Sequence, residues 1–278
     1  MAHPITPEDL WNLARVGQPE PLPDGMAAVV PVTTSDGDDA TTRLWLVALD
    51  GSTTALTTDT SATNPAVAPD GTRVAFLRKP AGTDHAQLHL MPLSGGEPEP
   101  VTDLPLGASA SRWLPDGSGL IAAAPLLRGH GTIEATTTER DRRSEAPPEP
   151  IVTEDRVYRF WKQWLASGFS QHLFHVNLAS DEVRHLTPDL DTVLGLDGPD
   201  GTYDISPDGN EVLFSALVEL ASDRHQFVLY RLGLADGRIR RLTGEPTAHE
   251  RRPRYSPDGT RVLFGRQREW DFYADHDQ

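Results

Sequence analysis

Apolar runs of four to six residues punctuate the chain at long intervals, and each follows the same polar turn. The runs are RVAFLR at 73–78, GLIAAA at 119–124, EVLFSA at 211–216 and RVLFGR at 261–266. Their length and alternation predict strands, half or fully buried. The turn before each is Pro-Asp-Gly, at 69–71, 115–117, 207–209 and 257–259, with a further copy at 23–25. Proline presets φ, aspartate bonds back to the backbone and glycine takes the positive φ. The structural turn residues are therefore Asp24 and Gly25, Asp70 and Gly71, Asp116 and Gly117, Asp208 and Gly209, and Asp258 and Gly259. Short segments before the turns (NPAVA, ASRWL, TYDIS, RPRYS) predict a preceding strand, so each phrase is a β-hairpin. A sixth copy, Pro199-Asp200-Gly201, lies too close to the next to head its own unit and reads as a loop turn.

A second phrase follows each hairpin: strand, polar turn, strand, then Leu-Thr or Val-Thr. It occurs at 43–57, 87–102, 172–187 and 227–243. Two hairpin phrases make four antiparallel strands in about 45 residues, the size of one propeller blade. The predicted fold is all-β: a β-propeller of four-stranded antiparallel blades, with the first strand of each facing the axis and the fifth blade incomplete at the C-terminus. The predicted single domain, 1–278, divides into blades at about 15–63, 64–106, 107–190, 191–250 and a partial 251–278. The third blade carries an insertion at 125–168. Its middle is charged and proline-rich, which predicts an exposed loop. Its end, RVYRFWKQWL, fits either a short helix carrying Val157, Phe160, Trp161, Trp164 and Leu165 or a loop packed by its aromatics.

Composition narrows the function classes. A net charge of −16 disfavours nucleic acid as a partner. The absence of cysteine excludes disulfides, thiolate metal sites and cysteine nucleophiles. No apolar run approaches a membrane span and no leader pattern opens the chain, so the expected setting is the cytoplasm, with no membrane partner. No cofactor is expected.

Candidate chemistry is sparse. The hydrolase elbow G-x-S-x-G is absent; GFSQH at 168–172 comes nearest, with His172 where glycine is needed. His85 and His89 need not share a face, and His172 and His175 are three apart on a predicted strand, so surface or edge histidines are expected and no metal site. SDGDD at 35–39 lacks a calcium loop's length and closing glutamate, and reads as a hairpin tip. The basic clusters ERDRRSE at 139–145 and HERRPR at 249–254 sit among acids, and read as solvated loops or local ion pairs. A role in guiding a peptide carboxylate or meeting a partner domain is their alternative.

TPEDLWNLARVGQPEPLPDG at 6–25, the SPDGTRVLF phrases, and VYRFWKQWL with QHLFHVNL resemble the N-terminal propeller of prolyl-oligopeptidase-type serine peptidases, in the acylaminoacyl-peptidase and dipeptidyl-aminopeptidase-like branch. TolB-like propellers share the Pro-Asp-Gly blades. The resemblance covers nearly the whole chain. It implies a non-catalytic, gating propeller that admits short peptides to an α/β-hydrolase domain, which carries the triad and lies beyond these residues. No catalytic residue is expected in this chain. Trp161 and Trp164 are the expected residues near the channel or the domain interface. The alternative is a stand-alone, TolB-like protein-binding module.

Overall fold

A computed structural model describes residues 4–268 apart from short stretches at 37–38, 59–60, 80–81, 130, 148–149, 151, 155–157, 161–162, 165–167, 191–192, 196–197, 219–225 and 244–247. The chain divides into two compact units, Met1–Asp103 and Leu104–Gln278.

The first unit opens with a six-residue helix, α1 (Pro7–Asn12), that the β-pattern does not foretell. A capping box nucleates it: the Asp9 amide donates to Thr6 Oγ1 at 3.3 Å and the Thr6 amide donates to Asp9 Oδ2 at 2.8 Å. The first sheet follows, from β1 (Arg15–Val16), β2 (Glu20–Pro21), β3 (Ala27–Asp36), β4 (Asp39–Ala48) and β5 (Thr53–Ala55). Its order is β1-β3-β4-β5, with β2 also paired to β3. The second sheet is a meander of β6 (Ala62–Val67), β7 (Arg73–Arg78), β8 (Gln87–Pro92) and β9 (Glu99–Pro100). The core of this unit joins Val29 and Leu44 of the first sheet to Ala62, Val74, Phe76 and Met91 around the second.

The second unit begins with β10 (Ser109–Trp113) and β11 (Gly119–Leu127). The insertion then forms a helix, α2 (Ile133–Glu145), and a tight hairpin of β12 (Arg159–Phe160) and β13 (Gln163–Trp164). Strands β14 (Phe169–Asn177) and β15 (Glu182–His185) complete the third sheet, in the order β10-β11-β14-β15. The fourth sheet is β16 (Tyr203–Ile205), β17 (Glu211–Val218), β18 (Gln226–Gly233) and β19 (Ile239–Arg241). Among the described residues the last sheet has two strands, β20 (His249–Tyr255) and β21 (Val262–Gln267). All the pairings are antiparallel, as connections this short require.

Two expectations for the insertion need correcting. Residues 139–145 are helical rather than loop. Thr132 caps α2 by accepting from the Ala135 amide at 3.1 Å, and Glu139 pairs with Arg142 and Arg143 at 2.8 Å on one helix face. Arg140 Nη1 also donates to the Pro105 carbonyl at 3.0 Å, tying the helix to its own unit. Of the aromatic segment, Arg159–Phe160 and Gln163–Trp164 pair as antiparallel strands rather than forming a short helix, and Val157, Trp161 and Leu165 lie outside the described residues. The basic segment at 249–254 is a strand, β20, as its RPRYS part predicts; of the two readings of its charges the local ion pair holds, Glu250 with Arg266 at 2.6 Å, and the solvated loop does not.

The same turn recurs at every first hairpin. Gly25, Gly71, Gly117, Gly209 and Gly259 all have φ between 69° and 72°. The preceding aspartate Oδ1 accepts the amide two residues on, at 2.9 Å for Met26 and Thr72, 3.0 Å for Ser118 and Thr260, and 3.1 Å for Asn210. Successive turns also touch. A Cβ at Gly71 would lie 3.5 Å from Pro23 Cδ, at Gly209 3.6 Å from Pro115 Cδ, and at Gly259 3.5 Å from Pro207 Cδ.

The Leu-Thr and Val-Thr endings have an equally regular purpose. The threonine Oγ1 accepts a third-strand amide: Leu44 on Thr57 and Leu88 on Thr102 at 2.9 Å, Leu173 on Thr187 and Leu229 on Thr243 at 3.0 Å. The fourth strand is too short to pair with these amides itself, and the hydroxyl replaces the missing carbonyl. A third regularity was not legible in advance. Asn64, Ala110 and Arg252, each five residues before the turn proline, have φ of 51°, 41° and 55° at register shifts in β6, β10 and β20. These bulges bend the first strands and re-aim the side chains that follow.

Tyr203 links the third and fourth sheets. It is 1% exposed, and its hydroxyl reaches the carbonyls of Ala110 at 2.5 Å and Ile121 at 2.8 Å. Burial pushes its phenol pKa up. Around it pack Ile121, Leu173, Val212 and Phe214. Ser215 Oγ, donating to the Glu250 carbonyl at 2.7 Å, links the fourth sheet to the last.

Two substitutions test these links. Thr102→Val keeps the side-chain volume but strands the buried Leu88 amide, and should lower stability by about 1–3 kcal/mol in urea unfolding. Tyr203→Phe removes the one hydroxyl proton shared between the Ala110 and Ile121 carbonyls and should cost about 1 kcal/mol. A loss below about 0.5 kcal/mol in either, within the range of an ordinary surface change, would contradict the role assigned.

Candidate functional site

The GFSQH segment gives the most suggestive geometry. Ser170 and His172 lie two apart on β14, so both side chains point to one face of the strand. Ser170 Oγ sits 3.0 Å from His172 Nε2, the spacing of a nucleophile and its base. Burial defeats that reading. Ser170 is 0% exposed and His172 1%, so no substrate can reach the hydroxyl. The segment also lies inside a strand rather than on the sharp strand-to-helix turn that presents a hydrolase serine.

The cluster is a packed polar plug. His172 Nδ1 lies 2.8 Å from the Thr187 carbonyl and 2.9 Å from His185 Nε2. One assignment satisfies all three contacts: Ser170 donates to His172 Nε2, and the proton on His172 Nδ1 is shared between the carbonyl and an unprotonated His185 Nε2. His185 stacks on Phe174 with ring centroids 4.7 Å apart. Burial, and then the neighbouring His172, push the His185 pKa down to about 4.

The other histidines are also more buried than expected. His89 is 5% exposed, stacks on Phe76 at 6.1 Å and contacts the Gln87 carbonyl at 3.1 Å through Nδ1. Burial pushes its pKa down, as it does that of His175. The expectation of surface or edge histidines therefore fails at His89 and His172. Period-2 reasoning tells which residues share a face, but not which face is packed. Among the described residues no group of three or more histidine and acidic side chains is placed to hold a metal ion.

The remaining candidates divide. Asp36 and Asp39 face each other at the β3–β4 hairpin end, on either side of 37–38. The turn residues stand where the sequence puts them, with Asp208 and Asp258 held down to about 2 by hydrogen bonds led by those from Ser206 and Ser256. Trp164 lies on β13, and Trp161 lies outside the described residues. In the first unit a small pocket is lined by Thr57, Phe76, Arg78 and Glu97 among others, without a nucleophile or paired carboxylates. No helix among the described residues is long and apolar enough to cross a membrane.

The histidines set an acid limit on stability. Unfolding returns His185 from about 4 to its ordinary value of 6.5, so between those values the unfolded chain binds the extra proton and stability falls as the pH drops. His89 and His175 act in the same direction. The turn aspartates extend the loss below their ordinary 3.8 toward 2, where protonation removes their hydrogen bonds to the turn amides. Urea midpoints should decline steadily from pH 7 to 4, and His185→Phe should flatten the decline. A midpoint independent of pH over that range would contradict a buried His185 with a lowered pKa.

No family model matches the chain. It is 30% identical over 216 residues to the uncharacterized peptidase YuxL of Bacillus subtilis, a match covering 76% of this chain and 31% of that protein. It is 27% identical over 273 residues to dipeptidyl-peptidase 5 of Porphyromonas gingivalis, covering 94% and 38%. The chain thus spans about a third of the length of these relatives. Among solved structures, acylaminoacyl peptidase from Pyrococcus horikoshii superposes with a TM-score of 0.67 at 16% identity, over 97% of this chain and 38% of that one. A TolB from Agrobacterium tumefaciens superposes with a TM-score of 0.58 at 20% identity, over 94% and 72%. Repeated four-stranded sheets and these likenesses lead to one conclusion: the chain is a β-propeller with the fold of the acylaminoacyl peptidase and TolB propellers, similar in sequence to part of two bacterial peptidases.

Proposed function

We propose that this chain is the gating, non-catalytic propeller of a prolyl-oligopeptidase-like serine peptidase that cleaves short peptides. The observation that carries the reading is the 30% identity over 216 residues to a peptidase, while the Ser170–His172 contact, nucleophile-like in spacing, is sealed inside a sheet. On this reading the two units belong to one propeller domain, with blades at about 15–63, 64–106, 107–190, 191–250 and 251–278. The partner is an α/β-hydrolase domain that supplies the triad. A covering partner also gives a reason for the exposed apolar side chains of the N-terminal segment. Ile5, Leu10, Trp11, Leu13 and Val16 are all more than half exposed, an arrangement that marks an interaction surface. Trp161 and Trp164 remain the proposed aromatic contacts near the channel or that interface. The proposed compartment is the cytoplasm.

A stand-alone TolB-like binding module is the second reading, favoured by the superposition over 72% of a TolB chain. An antibody against this segment, used on the source cells together with a serine-reactive fluorophosphonate probe, separates the two. The peptidase reading expects a probe-labelled polypeptide of roughly twice 30.4 kDa or more, room for a further domain of ordinary size. An unlabelled polypeptide of 30.4 kDa would contradict it and leave the binding module.

A further inference from the structure

The first strands of the last three sheets carry charged side chains in one register. Arg112 on β10, Asp204 on β16 and Arg254 on β20 each stand three residues before the turn proline of their sheet. Asp204 lies between its neighbours. Its Oδ2 accepts the Tyr255 amide at 2.8 Å, and its Oδ1 lies 3.7 Å from Arg112 Nη1, beyond hydrogen-bond distance.

The two guanidiniums are held in place but not used up. Arg254 Nη1 donates to the carbonyls of Pro253 at 2.7 Å, Gly201 at 3.2 Å and Tyr203 at 3.3 Å. These contacts fix the plane of the group and leave its Nε and Nη2 edge free of hydrogen bonds to the described residues. The sixth Pro-Asp-Gly copy, which the repeat does not need, explains itself here. Gly201 supplies one of those carbonyls, and a Cβ there would lie 3.6 Å from Arg254 Nη2. Arg112 is half-exposed, with its guanidinium carbon 6.0 Å from the Tyr203 ring centre, and it donates no hydrogen bond to a described residue.

The local charge points the same way. Burial first, then Arg112 and Arg252, press against the charged form of Arg254, and Asp204 and Asp200 relieve it only in part. Three guanidiniums thus face two carboxylates, in a chain whose net charge is −16. An additional anion would complete the set.

We propose that Arg112 and Arg254 form a carboxylate-binding site that holds a peptide through its C-terminus or an acidic side chain, a proposal that rests on the peptidase reading above. Guanidinium forks with unspent parallel donors match a carboxylate's two oxygens, which a lysine pair would not. Asp204, bonded to the Tyr255 amide and 3.7 Å from Arg112, belongs to the same cluster.

The test follows the arginine Nε–H resonances of the isotope-labelled chain during titration. The probes are N-acetylglycine, an acetylated tetra-alanine with a free C-terminus, its C-terminal amide, and an amidated acetyl-Ala-Glu-Ala-Ala. The two carboxylate peptides should shift the Arg112 and Arg254 signals, and the neutral amide should bind at least about tenfold more weakly. Whichever carboxylate peptide binds more tightly names the source of the anion. Arg112→Gln should lose about tenfold in affinity with little change in thermal midpoint, since its contacts in the fold are a part-exposed 3.7 Å ion pair with Asp204 and the Tyr203 ring; Arg254→Gln should lose at least as much. Equal binding of the acid and the amide, an Arg112→Gln variant that binds like the parent, or no response even to N-acetylglycine would each overturn the proposal. A response to N-acetylglycine with none to any peptide would leave the anion site standing and remove the peptidase reading beneath it.

Discussion

The left-handed glycine of the Pro-Asp-Gly turn is the constraint on which the other regularities depend. A φ near 70° is costly for any side chain except glycine, and it closes each first hairpin tightly enough for the aspartate to cap the amide two residues on. The tight closure fixes the register of the first two strands. Register decides which side chains reach the next sheet, because a slip of one residue would turn every side chain over. Asp204 and Arg254 each stand three residues before the turn proline and Tyr203 four, so the turn sets the register in which they reach their partners.

The threonine endings are the complement of the turn. The fourth strands have two to four residues, so they cannot pair along the whole third strand. A buried amide left over on each third strand finds the threonine hydroxyl instead. A short outer strand limits the exposed pairing edge, and the hydroxyl removes the unsatisfied donor that this shortness would create. The two devices together complete each four-stranded blade, and within each unit the stacking of successive turns, glycine on proline, sets one sheet against the next.

Much of this was legible in the residues. The turn chemistry, the strand alternation and the repeat length each pointed to four-stranded sheets, and local and tertiary preferences agree there. The unread parts have physical reasons. Helix α2 has a polar sequence whose mean hydropathy resembles a loop, and it persists through the Thr132 cap and the Glu139–Arg142–Arg143 pairs rather than an apolar face. The bulges at Asn64, Ala110 and Arg252 fall on three unrelated residue types, so no composition marks them. The charge crowded into 249–254 suggests a solvated loop or local ion pairs, although RPRYS, which overlaps it, predicts a strand. The segment forms a strand because Glu250 pairs with Arg266 across the hairpin at 2.6 Å, and because Ser215 and Gln226 of the neighbouring sheet bind the Glu250 and Ala248 carbonyls. At the chemical level the sequence showed that a hydrolase elbow is missing. It did not show that Ser170 and His172 meet inside the core, since facing and burial are tertiary facts.

Amide hydrogen exchange tests the account most directly. If the first four sheets are each locked by a turn and a threonine, the amides of Leu44, Leu88, Leu173 and Leu229 should be among the slowest to exchange, at similar rates in both units, and far slower than amides of the exposed face of α2. Exchange at those four leucines as fast as in α2 would contradict a fold built from one repeated, hydroxyl-capped sheet.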